Sequence, residues 1–175
     1  MLKDRLVIIF AFFTVVMLVA AYFVYGFGNE LAAFAIAAVF MAVFSVEDIR
    51  SHTISNRLLL IMLALSVITI GLSFDTARYI GALTGAVGIF VIMLIMYLVS
   101  MKSLGFGDVK LFTVMGLLIG FVDTIQLIFM TLLLTVVAGG AYALIGKKGL
   151  KLELPMVPFG FFALLLNTYL TLFAS

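Results

Sequence analysis

Two aspartates stand where an apolar chain has little reason to keep a charge. Asp108 closes the stretch Gly105-Phe106-Gly107-Asp108, and Asp48 lies in Val46-Glu47-Asp48-Ile49-Arg50, just after an apolar run. A carboxylate at membrane depth is costly unless it is paired, hydrated or near the interface, so its presence points to function. If two are brought close, repulsion and partial desolvation keep a proton on one of them. One carboxylate can then take a proton from water while its protonated partner donates to the carbonyl of a peptide bond. Such chemistry needs no side-chain nucleophile, which suits a chain with no cysteine and no evident Ser–His pair. The plainer alternative is that each aspartate marks a helix end, and Asp108 fits an N-cap or first-turn position facing the positive end of the helix dipole. Gly105 and Gly107 flank Phe106, where glycine lets the backbone take positive φ and approach a substrate strand closely.

The elements that must position these acids are membrane helices. Of 175 residues, 66% are hydrophobic and 10% charged, and the mean hydropathy is +1.40. A soluble domain of this size cannot bury so much apolar surface, so the solvent is a bilayer. The length allows one domain. A formal charge of +2 from scattered basic residues is no nucleic-acid signature. The absence of cysteine removes disulfides, thiol catalysis and Cys-based metal sites.

Seven apolar runs follow one another: Leu6–Tyr25, Leu31–Val46, Leu58–Phe74, Tyr79–Val99, Val109–Phe121, Thr124–Ile145 and Val157–Phe173. Their continuity excludes a β-barrel and predicts an all-α, polytopic transmembrane bundle of about seven helices. The fifth is the shortest and begins at the interface or where the bilayer is thinned. With a cytoplasmic N-terminus, Lys3, Arg5, Arg50, Arg57, Lys102, Lys110, Lys147, Lys148 and Lys151 lie inside and Arg78 alone outside. That bias supports seven crossings and puts Asp48 and Asp108 on the cytoplasmic side. Glu30, Asp75 and Asp123 fall on the other side, away from the site. The first run is too long for a signal-peptide core and lacks a clean cleavage site, so it reads as a retained helix. Gly81-x-x-x-Gly85, Gly116-x-x-x-Gly120 and the stretch Ala32–Ala38 read as close-packing helix faces.

Two further pieces share the order of the chain with the central motif. Asp48 opens a polar hinge running to Arg57, in which Asn56 is placed to cap the third helix. Glu47 reads as tuning the charge around Asp48 or capping the end of the second helix. His52, four residues after Asp48, shares a helix face with it if that turn is helical. A metal held by Glu47, Asp48 and His52 would want more ligands and a supporting shell, so no metal and no cofactor is expected. The other piece, Leu154-Pro155-Met156-Val157-Pro158-Phe159-Gly160-Phe161, opens the last helix, where proline is ordinary.

Together the three pieces resemble the type IV prepilin peptidase family of aspartic membrane proteases, which includes the archaeal preflagellin peptidases. The family pattern is an Asp followed by I-P-N or L-P-D, then G-x-G-D-x-K, then P-F-G-P before the final helix. Here these read Asp48 with Ile54-Ser55-Asn56, then Gly105-Phe106-Gly107-Asp108-Val109-Lys110, then Pro158-Phe159-Gly160-Phe161. Ser55 and Phe161 stand where the family has proline. The match keeps its order from about Val39 to the C-terminus. It implies a single membrane-embedded peptidase domain over residues 1–175, with an extra N-terminal helix (1–28) before a core (29–175).

The resemblance further implies that Asp48 and Asp108 are the catalytic pair, with Gly105, Phe106, Gly107, Lys110, Asn56, Pro158 and Gly160 positioning the motif or substrate. The expected activity is cleavage of the short basic leader of a prepilin-like, preflagellin-like or pseudopilin precursor, after a Gly, at the cytoplasmic face of the cell membrane. Larger bacterial members carry an added cysteine-paired domain associated with N-methylation; the expectation here is peptidase activity without methyl transfer. The expected partners are that membrane-protein substrate and the lipid bilayer, with no nucleic acid. The rival reading is a small ion- or proton-coupled transporter, which would instead want ionisable groups near the midplane. A scaffold subunit, in which neither aspartate matters, is the third.

Overall fold

Lipid offers no partner to a backbone N–H or C=O, so each apolar run must satisfy its own hydrogen bonds and becomes a helix. In the computed structural model, which describes residues 2–100, 104–146 and 155–174, seven helices form and no strand is present among those residues. They are α1 (Leu2–Tyr25), α2 (Asn29–Ser51), α3 (Asn56–Gly71), α4 (Thr76–Val99), α5 (Phe106–Ile119), α6 (Phe121–Gly146) and α7 (Val157–Ala174). The all-α bundle is as the sequence predicts. Lys102, Lys147, Lys148, Lys151 and Leu154 lie outside the described residues.

Among the described residues, four of the seven helices reach the length of a full span. α1, α2, α4 and α6 are long and apolar enough to cross a membrane. α3, α5 and α7 have 16, 14 and 18 residues, or about 24, 21 and 27 Å against a hydrocarbon core of ~30 Å. The shortness of α5 has a packing cause. It lies between α2, α3, α4 and α6, with Val109, Leu111, Phe112 and Met115 fully enclosed. A helix clad by other helices need not match the thickness of lipid.

Short connections fold α2, α3 and α4 each back on the helix before it, and α6 on α5. The tightest joins α5 to α6 through Gly120, whose φ of 87° lies in the left-handed region that glycine enters without strain. Its N–H donates to the Gly116 carbonyl at 3.1 Å. Gly85 and Gly116 mark the crossing of α4 and α5, where a Cβ on Gly85 would run into the Gly116 carbonyl oxygen. The core between the helices holds Phe44, Met62, Ile89, Met93, Leu127 and Phe161, while Ile8, Phe23, Leu60, Leu83 and Val136 face outward, as lipid contact requires. Ala33 and Ala37 are buried one turn apart on α2, as close packing asks. α1 joins this core through Phe10, Met17 and Ala21, and the Phe10 ring meets Phe161 edge-on at 5.1 Å.

The two ends of the bundle differ. At one, Tyr25, Glu30, Asp75, Arg78, Gly120 and Asp123 line a cavity of about 360 Å³. Arg78 there donates to the Asn29 carbonyl at 3.1 Å, and the Tyr79 hydroxyl to the Gly71 carbonyl at 3.1 Å. The opposite end gathers the last turn of α2 and the first turns of α3, α5 and α7.

Candidate functional site

Asp48 is not in a hinge. α2 continues past Val46 to Ser51, so Asp48 occupies its last turn, and His52 caps the helix with φ 50° and an N–H bonded to the Asp48 carbonyl at 2.9 Å. The helix outlasts its apolar run because its acidic residues find partners on other elements. Asp48 is buried, 7% exposed, and its Oδ2 accepts the backbone N–H of Val157, the first residue of α7, at 3.0 Å. Met156 adds a second backbone hydrogen bond. Glu47 Oε2 accepts the Ser55 N–H at 3.1 Å, at the start of α3.

Asp108 lies in the first turn of α5, three residues after the N-cap Gly105. Its side chain reaches back to Gly105, the acidic half of a capping box, and accepts a backbone hydrogen bond there. Neither glycine of the motif has positive φ: Gly105 is at −67°, and Gly26 and Gly120 are the left-handed glycines among the described residues. Their smallness serves contact instead. A Cβ on Gly105 would stand 3.0 Å from Asp108 Oδ2, and one on Gly107 3.2 Å from Ile54 in the α2–α3 connection. α5 is not one of the four long spans, and Asp108 opens it at the bundle's end. Burial, then the facing charge of Asp48, pushes the Asp108 carboxyl up to about 7. The two acids therefore act on one another across the α2–α5 contact.

Around them the motif residues divide. Asn56 does not cap α3; it is the first helical residue, Ser55 holds the N-cap, and Asn56 Oδ1 accepts from Lys110 Nζ at 3.1 Å. The same ammonium lies 5.2 Å from the centre of the Phe106 ring, which meets Tyr97 edge-on at 5.5 Å. Lys110 thus ties α3 to α5 beside Asp108. Pro158 is buried in the first turn of α7. A Cβ on Gly160 would meet Met41 Cε at 2.7 Å and Thr131 Oγ1 at 3.5 Å. Among the described residues, no three His, Cys, Asp or Glu side chains are grouped to hold a metal ion. The partners that sequence reasoning missed are the Met156 and Val157 N–H groups, which have no side-chain signature. Only the Pro155-x-x-Pro158 spacing at a helix start hints at free donors there.

Residues 35–144, well over half of the chain, match the family model described as the type IV leader peptidase family. The chain belongs to that family. Over 145 residues, 83% of its length, this family member is 27% identical to the prepilin leader peptidase/N-methyltransferase of Bacillus subtilis (strain 168). It spans 58% of the length of that relative. No solved structure matches it. The stretch matched to the leader peptidase family holds Asp48, Asn56, Gly105, Phe106, Gly107, Asp108 and Lys110; Pro158 and Gly160 lie beyond it.

Proposed function

We propose that this protein is an aspartic endopeptidase of the cell membrane that removes the short leader of a prepilin-like, preflagellin-like or pseudopilin precursor at the cytoplasmic face. The observation that carries this reading is the meeting of Asp48 and Asp108, from α2 and α5, at one end of the bundle, with the Asp108 carboxyl pushed up to about 7. At that value the pair shares a proton near neutral pH, the state in which one member can accept from water while the other donates to the carbonyl. Family membership supports the substrate class. Residues 1–28 serve as an added membrane helix on a core over 29–175. Asn56 and Lys110 hold the starts of α3 and α5 together, and Phe106, 43% exposed, offers apolar surface to the helix that follows the leader. The glycines keep the α5 entrance low enough for a substrate backbone to run beside it.

The test is the chain reconstituted in lipid with a prepilin-type substrate in ¹⁸O-labelled water. One cut is expected, after the Gly at the end of the basic leader, with one ¹⁸O in the leader's new carboxyl terminus. Absence of cleavage, together with ion flux through the same vesicles, would favour a transporter built on the same carboxylates.

A further inference from the structure

We propose that the start of α7 decides which aspartate is the base: its backbone N–H groups hold Asp48 as the carboxylate that takes the water proton, leaving Asp108 to donate. This rests on the peptidase reading and assigns roles within it. A helix cannot satisfy its first N–H groups internally. In Pro155-Met156-Val157-Pro158 the prolines have none to offer, so Met156 and Val157 carry the free donors. Both reach Asp48, the Val157 bond at 3.0 Å joining residues 109 apart in the chain. Donors aimed at an oxygen favour its charged form, and the positive end of α7 adds to them. Asp108 is placed differently, reaching back to the N-cap of its own helix while facing the charge of Asp48.

Among the described side chains, the charged residues at this end of the packed helices are Asp4 and Arg5 on α1, Glu47 and Arg50 on α2 with His52 at its cap, Arg57 on α3, and Asp108 and Lys110 on α5. The His52 charge acts on Asp48, and the Asp48 charge acts on Asp108. α7 brings it no titratable side chain between Met156 and Phe161, only backbone.

The step then balances. Water oxygen bonds to the carbonyl carbon as Asp48 takes one water proton and Asp108 gives its own to the carbonyl oxygen. The gem-diol collapses with breakage of the C–N bond. The leaving nitrogen takes the proton from Asp48, and a hydroxyl proton returns to Asp108, restoring the starting pair.

Val157→Pro is the deciding variant, because proline is tolerated at the first helical position while its missing N–H removes a donor to Asp48. Losing it disfavours the active form against the doubly protonated one. The acid limb of the kcat/KM–pH profile should rise by about 1–2 pH units, the worth of a hydrogen bond to a charged group. The alkaline limb should stay, since Asp48 is ionised on both sides of it. A raised alkaline limb with an unmoved acid limb would make Asp108 the base and overturn the assignment, as would two unmoved limbs. If Val157→Pro does not fold, infrared difference spectra decide. At about pH 6 a protonated-carboxyl band should be lost in Asp108→Asn and kept in Asp48→Asn; the converse contradicts the proposal. Infrared spectra need no cleavage, so failure here is distinct from failure of the peptidase reading, which appears as a wild-type chain that cuts no leader.

Discussion

Burial and the facing charge of Asp48 raise the Asp108 carboxyl from 3.8 to about 7, and this has a cost in stability as well as a use in chemistry. Between those values the folded chain holds a proton that the unfolded chain has released, so stability falls as pH rises from about 4 to about 7. Melting in detergent across that range should show Tm of the wild type declining more steeply than that of Asp108→Asn; equal slopes would count against the shift. Gly105→Ala puts a methyl 3.0 Å from Asp108 Oδ2. Displacing that oxygen should lower kcat for leader cleavage about 10–100-fold while leaving Tm nearly unchanged. At this scale the two acids were legible, because a charge inside an apolar chain announces itself. The contacts of the glycines were not: sequence offered positive φ and close approach of a substrate strand, whereas in the fold a Cβ would also crowd Ile54 and the Asp108 carboxylate, and Gly105 keeps negative φ. Asn56 and Lys110 lie 54 residues apart, and only the fold reveals that they are partners.

Between helices, the α4–α5 crossing is the seam that sets where Asp108 stands. Gly116→Leu would drive a side chain into the Gly85 carbonyl and Ile89, an overpacking that should cost more than about 2 kcal/mol and lower the folded yield. Gly81→Ala, on the same face motif but with nothing within 4 Å, should be tolerated; comparing the two by thermal unfolding separates a packing glycine from an incidental one. A double-mutant cycle on Asn56→Ala and Lys110→Ala should give a coupling of about 0.5–1.5 kcal/mol, the worth of one hydrogen bond between the starts of α3 and α5. The helices themselves could be read from continuous apolar runs. Their ends could not, since α2 runs on through Glu47 and Asp48 on the strength of bonds to Ser55 in the next connection and to Val157, 109 residues along the chain.

For the whole molecule, composition made the bilayer plain, while the length of each helix depended on packing. A run such as α5 is apolar because it is enclosed by neighbours, not because it faces lipid, and hydropathy does not separate the two. The proposed orientation, with both acids cytoplasmic, can be checked directly because the chain has no cysteine of its own. Thr53→Cys, in the exposed connection beside the site, should react with a membrane-impermeant maleimide only in inside-out vesicles. Phe74→Cys, 86% exposed at the other end, should react only from the opposite side. Reversed labelling would place the acids on the wrong face for a cytoplasmic leader.

The measurement that bears most directly on the two-carboxylate site is leader cleavage by the reconstituted chain as wild type, Asp48→Asn and Asp108→Asn, each checked for retained folding by its melting transition. Removing a positioned acid or base should cut the rate by about 10²–10⁴-fold in either variant, with substrate binding preserved. A folded variant of either kind that still cleaves at the wild-type rate would contradict the account.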